Sequence, residues 1–458
     1  MNRPSATSAV LDLAGRWRRL LSTERLSRAA PPAHEERSPF ERDMDRIIFA
    51  PAFRRLADRT QVLPAPQDDH VHSRLTHSLE VSTLGRSLGT RVGEWLGERG
   101  GLPAALTPKD LGDCVGAACL IHDLGNPPYG HAGEEAIREF FAGPEGQGAM
   151  SGLDERQRQD LLCFEGNAQS LRLAMRTARP KGKAGLDLCL ATLGALVKYP
   201  CASTAVDRES GRASTKKHGV HADEDASFER VALGLGLEPR PGARAWARHP
   251  LVFLTEAADD ITYAVVDLED AMRLGLLSAA EFAGLLRPFA TGHARVADEL
   301  ERPGLDRESM FELAGKLRSD AITSLLQGAA VVFEARHDEI LAGTFDAQLM
   351  KHIETSEAFA GLTRVARKRY YRARDVLRME ITGAVAIQGV LSALTEAASG
   401  SRSVRASNLR TLMPWLAAGA TGYDRLLAIT DHVSGMTDGY VLRQYHELTG
   451  GRLPGGRH

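Results

Sequence analysis

The sequence predicts an all-α protein, because apolar residues recur at helical spacing along most of its length. Leu84, Leu88 and Val92 follow one another at four-residue steps, which is the spacing of one helix face. Residues 111–125 are apolar on most sides and end in Gly125, as expected of a buried helix with a glycine stop. Alternating strand patterns are few.

Taken in order, the predicted elements divide the 458 residues into three parts. Residues 1–40 are predicted to be a flexible N-terminal arm, and residues 41–400 a helical core. Residues 401–458 are predicted to add a C-terminal helical segment with a disordered tail. Two stretches of the core, 143–160 and 202–230, are rich in Gly, Ser and charge, which favours loop insertions.

Long helices are predicted over residues 251–272 and from about 372 to 398. The longest apolar stretch, 381–394, contains Thr382 and Gln388. It is too short to cross a bilayer and is typical of a core helix. We therefore expect no membrane partner.

Composition excludes several classes of protein. Hydrophobic residues make up 43% and charged residues 25% of the chain, and the net charge is -2. These values are typical of a soluble globular protein and indicate no overall attraction to nucleic acid or anionic membranes. The five cysteines form no C-x-x-C pair, and the N-terminus has no apolar signal core. Both observations predict a cytoplasmic protein.

Three separated stretches carry candidate metal ligands: His77 near a helix start, the pair His122-Asp123, and either Asp259 or Asp260. Two imidazoles and two carboxylates would suit a divalent Mg, Mn, Co, Fe, Ni or Zn ion. His122 and Asp123 end an apolar helix, where titratable groups are costly to bury unless they are paired or metal-bound. The alternative is a cation at a helix end beside a solvated carboxylate.

This set resembles the His…His-Asp…Asp ligand pattern of the HD-domain metal phosphohydrolases. Six stretches between about residues 39 and 275 resemble, in order, the deoxyguanosinetriphosphate triphosphohydrolase family. They are "FRRLADRTQV", "RLTHSLEV", "IHDLGNPPYGHAGE", "FEGNAQSLR", "VKYP" and "EAADDITYAVVDLEDA". The resemblance implies an HD-domain helical core with additional C-terminal helices.

The resemblance also implies a ligand set, which is His77, His122, Asp123 and Asp259. Residues 259, 263 and 267 share one stripe of a helix, and this favours Asp259 over Asp260. Asp260 is expected to be a solvated helix carboxylate.

His131 and Glu134 lie three residues apart at a predicted helix start, so they share a face. A carboxylate beside a histidine fixes its tautomer and raises its pKa. The resemblance implies that the pair transfers protons beside the metal. Alternatively, Glu134 stabilises the helix N-terminus and His131 caps it. Asn126 is expected only to form hydrogen bonds.

Further residues match substrate contacts of the family. The resemblance implies that Gln61 contacts the sugar and Arg74 a phosphate. It also implies that Tyr263 and Asp267 touch the deoxyribose and that Tyr371, or alternatively Tyr370, packs on the sugar. The remaining matches, which would support phosphates and sugar, are Asn167, Lys198 and Tyr199.

Residues 364–374 contain six basic side chains and two tyrosines. Such a segment can bind single-stranded nucleic acid, gather a triphosphate, or form a solvated basic face. We favour the triphosphate or an adjacent regulatory nucleotide, because the chain has no extended basic track.

The resemblance implies metal-dependent hydrolysis of a deoxynucleoside triphosphate, dGTP first, to deoxynucleoside and inorganic triphosphate. It also implies a homo-oligomer. One alternative is another HD-type phosphohydrolase, acting on a nucleoside monophosphate, a cyclic nucleotide or an alarmone. The other is a catalytically silent relative that binds nucleotides or nucleic acid.

Overall fold

The computed structural model describes residues 6–27, 36–62, 72–176, 185–240, 244–290, 292, 294–302, 304–419 and 421–451. These residues form helices α1 to α21 and a few shorter helical turns. Extended pairing among them is limited to isolated bridges. The prediction of an all-α protein is confirmed.

The first eleven helices are α1 Ala6–Leu20, α2 Pro39–Ile48, α3 Pro51–Arg54, α4 Arg74–Glu98, α5 Pro108–Ile121, α6 His131–Ala142, α7 Pro144–Ala149, α8 Glu155–Leu162, α9 Gly166–Met175, α10 Leu190–Leu196 and α11 Asp225–Leu235. The remaining ten are α12 Val252–Arg273, α13 Ala279–Leu286, α14 Ala294–Leu300, α15 Arg307–Ala335, α16 His337–Leu341, α17 Ser356–Val365, α18 Arg374–Ala398, α19 Val404–Leu412, α20 Gly422–Ser434 and α21 Asp438–Thr449.

Helices α4 and α5 approach closely because glycines line their contact. A Cβ atom on Gly89 would lie 2.7 Å from the carbonyl oxygen of Leu111, and one on Gly93 would lie 2.7 Å from Cα of Pro108. No larger residue fits at either position without moving a backbone. This packing brings the start of α4 beside the end of α5, and the rings of His77 and His122 lie 5.4 Å apart.

Helix α12 packs against both α4 and α5 and is buried over most of its length. Its apolar side chains, such as Phe253, Ile261 and Val265, belong to the larger of two hydrophobic clusters. The helix therefore holds its polar positions at a fixed place beside α4 and α5.

The second hydrophobic cluster joins distant parts of the sequence. Ile137 and Phe141 of α6 pack in it with Ile387 and Leu391 of α18 and Leu427 of α20. Residues beyond 400 thus share a core with a helix near residue 140.

The described part of the predicted N-terminal arm is not free in this structure. Residues 6–20 form α1, whose Trp17 is completely buried. The indole Nε1 of Trp17 donates to Nε2 of His337 at 3.2 Å. Burial of one large aromatic ring outweighs the polar composition of the segment. Residues 28–35 lie outside the described residues, as do residues 452–458 of the predicted tail.

The two predicted loop insertions also contain ordered elements. Residues 143–160 include α7 and most of α8, and the buried Met150 lies between these two helices. Within residues 202–230, Ser214 is buried and its hydroxyl donates to Asp346 at 2.5 Å. The start of α11 follows, with Phe228 buried. A few apolar or hydrogen-bonded anchors therefore tie down segments whose average composition is polar.

One described helix, α18, is long and apolar enough to cross a membrane by length and composition. Half of its most apolar window is buried inside the protein. A core helix of a soluble protein has the same properties, as the sequence predicts for residues 381–394.

Candidate active site

The four predicted ligands come from helix α4, the turn that follows α5, and helix α12, and their side chains lie next to one another. The Nε2 atoms of His77 and His122 each lie 3.2 Å from Oδ1 of Asp259. Nε2 of His122 also lies 3.5 Å from Oδ1 of Asp123. One ligand atom from each of His77, His122 and Asp123 lies within 4.8 Å of the others. Such convergence of nitrogen and oxygen atoms is what a divalent ion requires.

The hydrogen bonding of His122 fits metal binding. Its Nδ1 lies 2.6 Å from the carbonyl oxygen of Cys119, which can only accept, so Nδ1 carries a proton and Nε2 is left to bind a metal. Nε2 is buried and makes no hydrogen bond of normal geometry within the described residues. The ligand set therefore suits a divalent cation at this point.

The charges of the cluster depend on one another. Burial acts to raise the pKa of Asp123, but the nearby His122 and Arg74 lower it to about 2. Burial likewise acts to raise the pKa of Asp259, yet Lys198 and His122 hold it well below its usual range. Burial acts to lower the pKa of His122, and the two carboxylates outweigh this and raise it. A divalent metal bound here would compete with protons for Nε2 of His122, so its binding should weaken as the pH falls.

A second layer of side chains orients the two carboxylates. Arg74 and Asn126 donate to Asp123 at 2.5 and 2.6 Å. Nζ of Lys198 donates to Oδ2 of Asp259 at 2.6 Å. Asn126 forms the hydrogen bond expected of it. Arg74 and Lys198, predicted as phosphate contacts, thus also touch the predicted ligands.

Asp260 is not the solvated carboxylate that the sequence predicts. It is half-buried, lines the same cavity as Asp259, and Nε2 of Gln348 donates to its Oδ2 at 3.4 Å. Burial, followed by repulsion from Glu256, raises the pKa of Asp260 to about 8. The spacing along the helix predicts that the side chains of Asp260 and Asp259 point in different directions. It does not predict that Gln348 and Glu256 lie near the carboxylate of Asp260.

His131 opens α6 and its ring is exposed in the cavity, whereas Glu134 is buried behind it. The two side chains are joined by a 3.1 Å contact between Nδ1 and Oε2. The backbone N–H of Gly166 donates to the other oxygen of Glu134 at 2.8 Å. The hydrogen bond to Glu134 raises the pKa of His131. An imidazole held in this way can hold or transfer a proton.

Tyr263, Asp267 and Tyr371 form one group beside the cluster. The rings of Tyr263 and Tyr371 lie 5.5 Å apart, and the ring of Tyr263 lies 6.4 Å from that of His77. The hydroxyl of Tyr371 donates to Asp267. Tyr371 lines the cavity, whereas the fully buried Tyr370 points its hydroxyl toward Asp270. This geometry favours Tyr371 in the choice that the sequence leaves open.

Most of the predicted site residues line a cavity of about 1160 Å³, among them His122, Asp123, His131, Tyr263, Tyr371, Gln61, Asn167 and Tyr199. His77, Glu134 and Asp267 are buried and are not part of its described lining. Oε1 of Gln61 is buried and has no hydrogen-bond partner among the described residues. The described lining is rich in basic side chains, which are Arg74, Lys198, Lys216, Lys217, Lys351, Arg364, Arg367, Lys368 and Arg372. Its acidic side chains are fewer: Asp123, Asp259, Asp260 and Glu380. The excess of positive charge suits a highly anionic ligand.

Sequence reasoning missed three of these cations, Lys216, Lys217 and Lys351. The paired lysines of the stretch "STKKHGVH" lie within the predicted insertion at 202–230, and their charge is the signal that could have identified them. Nζ of Lys217 lies 2.9 Å from Glu165, which also accepts from Asn167 at 2.6 Å. Lys351 has no such local signal, since it reaches the cavity only through the fold.

Two family models match the chain. The HD domain matches residues 74–157, and the phosphohydrolase-associated domain matches residues 351–447. The first match includes His77, His122 and Asp123, and the second includes the basic segment 364–374.

The chain is also similar to curated proteins over most of its length. A deoxyguanosinetriphosphate triphosphohydrolase-like protein of Pseudomonas aeruginosa is 38% identical, covering 96% of this chain and 99% of its own. A protein of the same name in Synechocystis is 36% identical, covering 95% and 99%. The deoxyguanosinetriphosphate triphosphohydrolase of Salmonella enteritidis is 32% identical over 78% of this chain and 76% of its own. The chain therefore belongs to the deoxyguanosinetriphosphate triphosphohydrolase-like family of HD-domain nucleotide phosphohydrolases.

Proposed function

We propose that this protein hydrolyses a deoxynucleoside triphosphate, with dGTP as the first candidate, to the deoxynucleoside and inorganic triphosphate. The observation that supports this most strongly is the cavity together with the buried side chains bonded to its lining. Around one candidate metal cluster lie a histidine–glutamate pair, a tyrosine–aspartate group and an excess of basic side chains. The names of the relatives support dGTP as the first nucleotide to test.

In this reaction the oxygen of water bonds to the α-phosphorus, and the bond from that phosphorus to O5′ breaks. The 5′ oxygen takes a proton, and the three phosphates leave as one unit. A divalent ion held by the ligand cluster supplies polarisation of a phosphoryl oxygen and lowers the pKa of water. His131, oriented by Glu134, either gives a proton to O5′ or takes one from water.

Positive side chains neutralise the phosphates, which is the main requirement of phosphoryl transfer. Arg74 and Lys198 lie beside the cluster and serve the α-phosphate. The lysines at 216 and 217 and the basic residues of 364–374 serve the outer phosphates. Asn167 and Tyr199 complete the lining near Lys198.

The sugar is proposed to lie against Tyr263, Asp267 and Tyr371, with Gln61 nearby. Asp267 and Gln61 can hydrogen-bond the 3′-hydroxyl, while an aromatic ring near C2′ leaves no room for a 2′-hydroxyl. A buried hydroxyl without a partner costs about 1–3 kcal/mol. We therefore expect kcat/KM for dGTP to exceed that for GTP by at least roughly tenfold. Replacing Tyr263 by Ala should narrow this ratio, and the control Tyr370→Phe, which lies outside the lining, should not.

The proposal is tested by incubating the protein with each dNTP and GTP under Mg, Mn and Co and identifying the products. Release of intact triphosphate supports it. Release of phosphate or pyrophosphate would instead indicate another HD-type activity, and binding without turnover would indicate a silent relative. Light scattering checks the proposed homo-oligomer. Repeating it with and without each ligand checks the binding of a regulatory nucleotide or single-stranded nucleic acid.

A further inference from the structure

The loop between the ligand Asp123 and the start of α6 makes a tight turn through an unusual backbone conformation. Tyr129 has a φ of 61° and Gly130 a φ of 58°. The left-handed region is strained for an aromatic residue, and such a residue persists only when its surroundings hold it there. The loop therefore needs contacts from outside its own segment.

Those contacts come from Asp438, at the first residue of α21 and 309 positions away in the chain. Its Oδ1 accepts the backbone N–H of Tyr129 at 3.0 Å. Its carbonyl oxygen accepts the hydroxyl of the same tyrosine at 3.2 Å. Its Oδ2 accepts both the N–H and the hydroxyl of Thr60, at 2.8 and 2.5 Å. One buried carboxylate thus joins the loop to the residue preceding Gln61.

Two further contacts support the loop: one comes from α18, and the other joins the same three segments. The ring of Tyr129 lies on Gly383 of α18, where a Cβ atom would be 2.3 Å from the ring. The guanidinium of Arg59 is buried and donates to the carbonyl oxygens of Asn126 and Met436, at 2.7 and 2.8 Å. The turn between α20 and α21 is therefore bonded to the loop at more than one point.

The position of Tyr129 affects the residues that act on substrate. A Cβ atom on Gly130 would lie 2.3 Å from Nη2 of Arg74, so this guanidinium rests directly on the loop backbone. His131 follows at once as the first residue of α6. A shift of the turn would move His131 relative to Asp123 and would remove the support under Arg74.

We propose that Asp438 is a positioning residue, which holds the 124–131 loop so that His131 and Arg74 face the metal cluster. It does so from the C-terminal segment and is not part of the described lining of the cavity. The effect of Asp438 on turnover rests on the proposed function. The effect of Asp438 on the conformation of the loop is independent of the proposed function.

The first experiment measures the loop without any nucleotide. Amide hydrogen exchange is followed in peptides that cover residues 122–131 for the wild type, Asp438→Ala and Asp424→Ala. Asp424 is the matched control, because it caps α20 by accepting the N–H of Thr421 at 3.0 Å and does not touch the loop. We expect amide exchange at Tyr129 to be at least about tenfold faster in Asp438→Ala only. The reason is that this variant loses the hydrogen bond that protects the N–H of Tyr129, so the loop opens more often.

The second experiment measures turnover of the best nucleotide below the unfolding temperature of each variant, together with metal content. A small displacement of a reacting group costs up to about a hundredfold in rate. We therefore expect kcat of Asp438→Ala to fall between tenfold and about a hundredfold, with metal content unchanged. Asp438→Asn should lie between this variant and the wild type, because its amide oxygen still accepts from Tyr129 but its amide nitrogen cannot accept from Thr60.

The two experiments distinguish a failure of this inference from a failure of the proposed function. Exchange and kcat that match those of Asp424→Ala would overturn the inference. Faster exchange with an unchanged kcat would overturn the role in positioning His131 and Arg74. A wild type that turns over no nucleotide refutes the proposed function, and the exchange data then still decide whether Asp438 holds the loop.

Discussion

Asp259 and Asp260 are neighbours in the chain, but their carboxylates have different partners. Asp259 contacts His77, His122 and Lys198, whereas Asp260 accepts only from Gln348 among the bonds described. We predict that Asp259→Ala loses bound metal and activity, because it removes one of four converging ligands. Asp260→Asn should keep the metal. Metal content by mass spectrometry and turnover check this, and loss of metal in Asp260→Asn alone would reverse the assignment.

Glu134 sets the proton affinity of His131. Its carboxylate raises the pKa of His131, so Glu134→Gln lowers that pKa. Whichever limb of the kcat–pH profile His131 controls must then move to lower pH, whether the residue acts as acid or as base. His131→Asn should lower kcat by about a hundredfold or more. The control is Glu135→Gln, since Glu135 is exposed and pairs with Arg138 at 2.8 Å. A profile unchanged in Glu134→Gln would remove this pair from the mechanism.

The sequence predicts residues of the site well where short motifs carry them. His77, His122 and Asp123 were expected together from separated stretches, and the structure brings them together. Lys351 and the enclosure of Asp260 could not be predicted, because both depend on which helices pack side by side. Helical spacing indicates the direction in which a side chain leaves its own helix, but it does not indicate which other helix lies on that side.

At the scale of elements, one irregular turn in the basic segment 364–374 directs neighbouring side chains to different surroundings. Residues Ala366–Tyr370 form a π-helical turn between α17 and α18. Such turns change the helical register and occur often at functional sites. Here Tyr370 enters the core while Tyr371 reaches the cavity. The sequence predicts the charge of this segment but not the turn, so it leaves the choice of tyrosine open.

The same turn offers a matched pair of arginines. Arg367 lines the cavity, whereas Arg369 lies outside it and pairs with Glu281 at 2.7 Å. We predict that Arg367→Ala raises KM for the nucleotide about tenfold, since a hydrogen bond to a charged group is worth about 1.5–3 kcal/mol. Arg369→Ala should change KM by less than about twofold, because an exposed ion pair contributes little. Steady-state kinetics at a fixed salt concentration measure KM for both variants. Equal changes in KM would contradict a role for this segment in phosphate binding.

For the molecule as a whole, histidines whose pKa is lowered by burial link stability to pH. Burial lowers the pKa of His218 and His221 to about 3, and that of His249 and His432 to about 4. In the unfolded chain their pKa is about 6.5. Their contribution is therefore present above pH 6.5 and is lost as the pH falls toward 4, because only the unfolded chain takes up the protons. The slope is up to about 1.4 kcal/mol per pH unit for each histidine.

We predict that, when the pH is lowered from 7.5 to 5.5, the free energy of unfolding in urea changes less favourably in the wild type than in the double variant His218→Asn/His221→Gln, because only the wild type carries these two buried rings. The control His352→Gln should keep the wild-type difference, because it leaves His218 and His221 in place. If the double variant and the control lose the same free energy over this interval, the buried pair is not the cause.

The fold class could be predicted from periodicity alone, whereas the way in which distant helices share a core could not. A helical pattern identifies the apolar face of α6, but it does not indicate that residues beyond 370 cover that face. A boundary between two parts of the chain is predicted at residue 400. In the structure, α18 lies before it and α20 after it, and both pack in the same cluster.

This shared core has a consequence for the newly made chain. Glu139 of α6 and its partner Gln388 of α18 are 249 residues apart, so translation of the intervening chain takes roughly 12–50 s at about 5–20 residues per second. During that interval the apolar face of α6, with Ile137 and Phe141, has left the ribosome without its covering helices. We therefore expect His131 to be fixed in place only after α18 has been made, and a chain that ends before α18 to expose this apolar face and to be prone to aggregate.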